Sequence, residues 1–170
     1  MFKKFLLAVL GAVPMCIQAQ TVKLGAVNPT EILNVMPEFA TMKNTLNELS
    51  GKYETQAKAL QDEFNKKQAE LETLTKGMAK PESDPTAMAK AKELEDLYPR
   101  SQNIMQTAQQ DIQKQQETLM APIQQKLMTA ITAVGAEGGF AGILDSATLL
   151  YQGNNIEDIS AKVKAKLGIK

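Results

Sequence analysis

The chain has 170 residues, of which 44% are hydrophobic and only 5% are aromatic, so it is long enough for one ordinary domain with an appendage. Nineteen basic residues balance nineteen acidic ones. Because the charges cancel, no strong field favours nucleic acid or an anionic membrane as the main partner. Composition therefore excludes a charge-driven DNA-binding protein.

The first 19 residues are typical of a cleaved export signal. Lys3 and Lys4 provide the positive start, residues 5–13 are apolar, and Ala19 ends a plausible cleavage site. The apolar run is shorter than the roughly 20 residues that a membrane-spanning helix needs. Cys16 lacks the small residues that precede a lipid-anchored cysteine, which argues against a lipoprotein. We therefore expect an exported protein whose mature chain has no cysteine and is held together by packing or assembly.

Apolar residues recur at intervals of three, four and seven from about residue 30 to residue 80, which predicts a long helix with one apolar stripe. The stripe consists of Ile32, Met36, Phe39, Met42, Leu46, Leu49, Tyr53, Leu60, Phe64, Leu71, Leu74 and Met78. Thr30, after Pro29, is the expected N-cap, and Pro37 predicts a kink or an early break. Glycine, proline, serine and aspartate cluster in residues 77–85 and predict the end of the helix.

A second apolar stripe returns from about residue 86 to residue 134. It consists of Met88, Ala91, Leu94, Leu97, Tyr98, Met105, Ala108, Ile112, Leu119, Ile123, Leu127, Ile131 and Val134. Two helices of about 50 residues would each extend roughly 75 Å. Residues 30–134 are therefore predicted to form an antiparallel helical hairpin, an arm with its tip at residues 77–85.

Two prolines, Pro99 and Pro122, fall inside the second helix of this arm. A proline removes a backbone hydrogen bond and crowds the preceding turn, so each predicts a bend. Folding the hairpin about residue 83 places Pro99 opposite roughly Lys67, which makes Pro99 the expected arm hinge. The alternative is that a solvent-exposed helix merely tolerates the prolines.

Strand-like segments lie at both ends of the mature chain. Residues 22–27 precede the arm, and residues 140–144 and 147–151 follow a glycine-rich stop at residues 135–139. One sheet must therefore join the two ends of the chain.

The predicted body consists of residues 20–29 and 135–170 and includes a last helix. Asn155 is its expected N-cap, and an apolar stripe would cover the sheet, formed by Ile156, Ile159, Val163 and Leu167. Three short strands leave open edges and bury little apolar surface, which favours assembly of several chains. A monomeric sheet covered by the last helix is the alternative.

The sequence offers little for catalysis. It contains no histidine, and the mature chain would contain no cysteine, so the usual bases, thiol nucleophiles and soft metal ligands are missing. The glycines match neither a phosphate loop nor a dinucleotide-binding motif. We therefore expect no enzymatic activity, no cofactor, no metal and no use of ATP.

Three segments carry a resemblance to a known family. They are KLGAVNPTEILNVMPEF at residues 23–39, ILDSATLLY at residues 143–151 and IEDIS at residues 156–160. Together with the export signal and the long hairpin, they make the mature chain resemble the OmpH family of Skp-like periplasmic chaperones. The arms contribute only a similar pattern.

This resemblance implies an α+β fold in which three chains build a shared β-rich body and three helical arms enclose a cavity, like a jellyfish. It also implies a homotrimeric holdase that keeps unfolded outer-membrane proteins from aggregating without ATP. The expected trimerisation residues are Val22, Leu24, Val27, Phe140, Ile143, Leu144, Leu149, Tyr151 and Ile159. The expected residues of the arm tip are Lys76, Met78, Lys80, Pro81 and Pro85.

One feature departs from the family pattern. Residues 31–134 contain 12 basic and 15 acidic residues, whereas the best-known members of the family have strongly basic arms. This balance weakens the case for electrostatic capture of clients and for contact of the arms with an anionic membrane. A second hypothesis stays open, in which the hairpin is a structural spacer or adaptor of the cell envelope that does not bind unfolded chains.

Overall fold

The computed structural model describes residues 22–169, so the predicted signal peptide, its cleavage site at Ala19 and Cys16 lie outside the described residues. In chain order the elements are β1 (Leu24–Val27), α1 (Pro29–Val35), α2 (Pro37–Thr75), α3 (Pro85–Glu137), β2 (Gly142–Asp145), β3 (Ile156–Asp158) and α4 (Ser160–Lys166). Short 3-10 turns occur at Pro81–Ser83 and Ser146–Thr148. The predicted α+β architecture, a long helical hairpin on a small sheet, is confirmed.

The sheet joins the two ends of the described chain, as the sequence predicts. β1 is its central strand, and both β2 and β3 pair with it in parallel. Leu24 lies opposite Gly142 on one side and Ile156 on the other. The chain therefore crosses from one edge of β1 to the other between β2 and β3.

The prediction of a strand at residues 147–151 is wrong. Asp145 accepts a hydrogen bond from the backbone N–H of Ala147 at 2.9 Å, and its carbonyl accepts one from the Thr148 hydroxyl at 2.9 Å. These local bonds close a 3-10 turn directly after β2, as aspartate favours. The third strand is formed instead by Ile156–Asp158.

The last helix also begins later than predicted. Asn155 is not its N-cap, because Ile156 already belongs to β3 and α4 begins at Ser160. The Asp158 side chain accepts a hydrogen bond from the Ser160 N–H at 2.9 Å. The predicted apolar stripe survives in part, since Ile159 and Val163 are fully buried.

The start of the arm is divided into two helices. Asn28, and not Thr30, is the N-cap of α1, because its side chain accepts hydrogen bonds from the N–H groups of Thr30 and Glu31 at 3.1 and 3.2 Å. The break that Pro37 predicts is confirmed, since Met36 is extended between α1 and α2. Met36 is also 1% exposed, so its side chain anchors this junction.

The hairpin consists of α2, with 39 residues, and α3, with 53. At 1.5 Å per residue these helices are about 58 and 80 Å long. The chain turns between them, where Gly77 has a φ of +85° and the Asp84 side chain caps α3. At the other end α3 stops at Glu137, and Gly139 follows with a φ of +63°, which a glycine adopts without strain.

The hydrophobic core lies where the base of the arm meets the sheet. Its buried members are Val27, Ile32, Met36, Met42, Ile123, Leu127, Ala130, Ile131, Val134, Ile159 and Val163. They come from β1, α1, α4 and the facing ends of α2 and α3. The stability of the protomer is therefore concentrated at one end of the molecule, and the rest of the arm projects from it.

Beyond the base, polar contacts join α2 to α3 across the arm. Glu38 accepts a hydrogen bond from Lys126 near the base, and near the tip Lys67 bonds Glu93 at 2.6 Å and Lys90 bonds Glu70 at 2.7 Å. These lysine hydrogen bonds lower the pKa of Glu38, Glu70 and Glu93 below the usual 4.5. Exposed pairs of this kind contribute little each, but here they occur along the length of the hairpin.

A valine-to-alanine change removes two methyl groups. It should destabilise the protein when the valine is in the core and have little effect when the valine is on the surface. We expect Val163→Ala, at a fully buried side chain, to lower the free energy of unfolding by about 2 kcal/mol through lost burial and a small cavity. Val35→Ala, at a side chain 48% exposed, should change it by less than about 0.5 kcal/mol. Urea titration followed by circular dichroism measures both. Equal effects would contradict the assignment of α4 to the core.

Acid should weaken the arm through its cross-arm carboxylates. Because folding lowers the pKa of Glu70 and Glu93, their contribution is fully present above the unfolded pKa near 4.5 and is lost as the pH falls through the folded value. We therefore expect Glu70→Gln/Glu93→Gln to reduce the difference in melting temperature between about pH 6 and pH 3. Glu48→Gln/Glu72→Gln, which removes two carboxylates without an ion pair among the described residues, is the control. An equal reduction in both variants would contradict the prediction.

Candidate functional site

An apolar groove opens on the body between β2 and the last turns of α3. It has a volume of about 530 Å³ and is lined by Val27, Pro29, Met128, Ile131, Thr132, Gly135, Ala136, Phe140, Gly142, Ile143, Leu144 and Asp145. The groove exists because the sheet approaches the helix closely at Gly135. A Cβ at that position would lie 2.8 Å from Cδ1 of Ile143. The body thus presents an apolar depression instead of a closed surface.

A loop with two fully displayed apolar side chains lies on the same body. It follows the turn Ser146–Thr148, and in it Leu150 is 105% exposed and Tyr151 is 83% exposed. The loop is nevertheless anchored, since Gln152 donates a hydrogen bond to the carbonyl of Ile156 at 3.0 Å. Exposed apolar side chains on an ordered loop are typical of a surface that another chain covers.

The predicted trimerisation residues divide into two groups. Val27 and Ile159 are 2% and 0% exposed and belong to the core of the protomer itself. The others reach the surface wholly or in part, namely Val22, Leu24, Phe140, Ile143, Leu144, Leu149 and Tyr151. Only this second group is available to contact another chain without rearrangement of the protomer.

Charged side chains frame one edge of the body around Glu157. Its carboxylate accepts hydrogen bonds from Lys162 and from Lys23, the latter at 3.0 Å, and these lower its pKa below the usual 4.5. Both lysines also lie over the ring of Phe140, with Nζ at 4.2 Å for Lys23 and 5.7 Å for Lys162. Cation–π contacts of this type attract an aromatic ring modestly at exposed sites. Phe140, which also packs against the core, is therefore held between the core and these two lysines.

The predicted tip residues come together at the end of the hairpin. Lys76 is the C-cap of α2, Pro81 opens the 3-10 turn and Pro85 is the first residue of α3. Lys76 and Lys80 are exposed, whereas Met78 is half-buried. The tip is therefore an ordered turn with mixed polarity.

The predicted hinge lies within the unbroken helix α3, which is helical through Pro99. The pairing of Tyr53 with Asp111 nearer the base places Pro99 opposite about residue 65, within one turn of the predicted Lys67. The Lys67 side chain itself reaches Glu93, six residues nearer the tip than Pro99. Flexing of the arm at Pro99 stays a prediction.

Sequence reasoning missed several members of these surfaces. Leu150 was overlooked because an alternating strand would place Leu149 and Tyr151 on one face and Leu150 on the other. Met128 and Ile131 line the groove although the pattern assigns them to the arm. A signal for Ile131 was its place in the second apolar stripe, next to the glycine-rich stop.

Within residues 22–169 no cluster of acidic side chains suits a metal ion. In the same range no helix is long and apolar enough to cross a bilayer. What the described residues offer is extended surface, an apolar groove and a displayed loop, which can bind polypeptide.

Comparison with protein families gives a match over most of the chain. None of the curated proteins matches the chain. The sequence model of the family described as outer membrane protein (OmpH-like) matches residues 23–167, which span every element from β1 to α4. Because this match covers most of the chain, the protein belongs to the OmpH-like family.

Proposed function

We propose that the protein is a periplasmic holdase chaperone that assembles as a homotrimer and shields unfolded outer-membrane proteins between its arms, without ATP. Membership of the OmpH-like family supports a chaperone-type role in outer-membrane protein biogenesis. The observation that carries the finer proposal is the combination of a hairpin of 39 and 53 residues with a small body that displays an unpaired apolar loop and groove.

The body supports assembly because its sheet is incomplete. Within the described residues β2 and β3 are both edge strands, and neither pairs on its outer side. Edge strands and exposed apolar loops are features that soluble proteins usually cover. In the proposed trimer the loop at Leu150 and Tyr151 of one protomer covers the apolar groove of the next. Such a head-to-tail contact closes into a ring when the rotation between protomers is one third of a turn.

Three arms projecting from one ring would surround a shared space. A client chain inside it meets many weak contacts, each of which releases quickly, while together they act at high effective concentration. Binding of this kind needs no ATP, because release occurs whenever the client reaches a more stable state elsewhere. The proposed chaperone therefore has no catalytic residues and no cofactor.

The proposed mature protein begins after residue 19. Residues 20–29 and 135–170 would form the assembly body, and residues 30–134 the arm. The signal-like sequence of residues 1–19 supports export to the periplasm, and the poor match around Cys16 argues against a lipid anchor.

Aggregation of an unfolded client tests the function directly. A urea-unfolded outer-membrane barrel diluted into buffer should stay soluble with one trimer per client, as followed by light scattering. Because the arms carry 12 basic and 15 acidic residues, protection should change little between about 0.05 and 0.5 M salt, over which electrostatic capture would weaken strongly. Absence of protection at every salt concentration would favour the envelope adaptor, and protection only at low salt would contradict the non-electrostatic mechanism.

The assembly surface can be tested with two tyrosines of similar exposure. Tyr151→Ser should shift the mature protein from trimer to monomer in analytical ultracentrifugation at micromolar concentration, because it removes an aromatic side chain from the proposed interface. Tyr98→Ser, on the arm, should leave the assembled mass unchanged. The two side chains are 83% and 67% exposed, so neither change opens a cavity in the protomer. A monomeric wild type, or dissociation of both variants, would contradict the proposed interface.

A further inference from the structure

The middle of the arm is the least charged part of the hairpin beyond its base. Residues 101–110 of α3, with the sequence SQNIMQTAQQ, contain no charged side chain over nearly three helical turns. On α2, residues 55–61 contain a single charge, that of Lys58. We call these two segments together the mid-arm belt.

Two cross-arm contacts bound the belt. Tyr53 donates a hydrogen bond to Asp111 on the side of the base, and Lys67 pairs with Glu93 on the side of the tip. The belt thus occupies the stretch of hairpin between these contacts. Its place in the arm is set by the pairing of α2 with α3.

The belt lies in a loosely packed part of the seam between the helices. Among the described residues α2 has no buried side chain after Met42, and α3 has none between Leu97 and Ile123. Within the belt residues 55–59 are all exposed, and only four side chains are half-buried, those of Leu60, Ile104, Thr107 and Ala108. Most of the belt surface is therefore available to a partner.

The exposed side chains of the belt form a distinctive set. Met105 is 63% exposed, and four exposed glutamines surround it, Gln102, Gln106, Gln109 and Gln110. None of these glutamines makes a side-chain hydrogen bond within residues 22–169. Each amide thus keeps two donors and one acceptor free. The thioether of Met105 adapts to apolar groups of many shapes.

This chemistry fits an extended polypeptide better than it fits a charged ligand. An unfolded strand carries unpaired backbone N–H and C=O groups, and glutamine amides can bond both kinds whatever the side chains are. A transmembrane β-strand alternates apolar and polar residues and has few charges on its lipid-facing side. Such a segment can lie on an uncharged belt without removing water from a fixed charge, which on the charged stretch of the arm nearer the tip would be costly.

We propose that the mid-arm belt is a client-binding surface that takes extended, uncharged strand segments of unfolded outer-membrane barrels through Met105 and the surrounding glutamines. This inference rests on the proposed holdase function and assigns it to particular residues. The occupant is the client chain, and it binds with backbone hydrogen bonds to the amides and apolar contacts to the methionine.

Two methionines on the same helix provide a matched pair for the test. Met88, 58% exposed near the tip, has nearly the exposure of Met105 but lies outside the belt. A photoreactive amino acid is placed at residue 105 or residue 88 of the full mature protein, which is mixed with a urea-diluted eight-stranded barrel and irradiated. We expect the yield of cross-links to the barrel at residue 105 to be at least about fivefold that at residue 88, because contacts repeated on several arms accumulate.

The same pair is then tested by substitution. Met105→Glu adds a charge to the belt, so it should weaken binding of the barrel about tenfold in fluorescence titration, whereas Met88→Glu should change it less than about twofold. Both residues are exposed, so neither variant disturbs a core. Retention of the wild-type circular dichroism and assembled mass confirms that folding is intact.

The outcomes separate the inference from the function on which it rests. A wild type that neither binds nor protects the barrel overturns the holdase function. If the wild type protects but the two positions cross-link equally, or both glutamate variants bind as the wild type does, the belt is overturned and the function stands. Cross-links between arms without client would identify a second copy of the chain as the occupant and also overturn the proposal.

Discussion

The pairing of β1 with both β2 and β3 is the constraint on which the rest of the structure depends. It joins β1, which precedes the hairpin in the sequence, to β2 and β3, which come after it. Gly25 permits close packing there, since a Cβ at this position would lie 3.3 Å from Cγ2 of Ile159. The backbone bond from the Ile159 N–H to the Ala26 carbonyl, at 2.9 Å, leads the chain directly into α4. The body therefore closes the hairpin at its base, and both helices of the arm must leave it side by side.

Because the core is at the base, the outer part of the arm is stabilised by fewer and weaker contacts than the body is. Its outer part has only half-buried seam residues, two small buried contacts near the tip at Ala87 and Leu97, and surface ion pairs. Contacts of this type stabilise a helix pair weakly and locally. In the proposed trimer, arms of this design could change their separation without unfolding of the body. The prolines of α3 are tolerated for the same reason, since few tertiary contacts oppose small local adjustments.

In the proposed function, assembly and client binding use separate surfaces. The apolar groove and the loop at Leu150 and Tyr151 belong to the body, and the uncharged belt belongs to the arm. The near-neutral arm makes polar amides and thioethers the available binding groups, where a basic arm would use long-range attraction. Such contacts are short-ranged, so they require the client to be already enclosed. In this protein a client would therefore bind only to the trimer, and assembly would do more than raise the affinity that a single arm already has.

The sequence by itself determined the hairpin, its tip, the break before Pro37 and the meeting of the chain ends, because these follow from local rules. Helical periodicity reports one apolar stripe on each helix of the arm, and glycine and proline act on the backbone within a few residues. The sequence could not decide which segment pairs with the second edge of β1. Residues 147–151 have strand-forming side chains, yet the bonds to Asp145 turn them into a loop, and Ile156–Asp158 pair instead. Only the tertiary structure decided this, because strand pairing depends on a partner far away in sequence, whereas propensity records only what each segment would prefer alone.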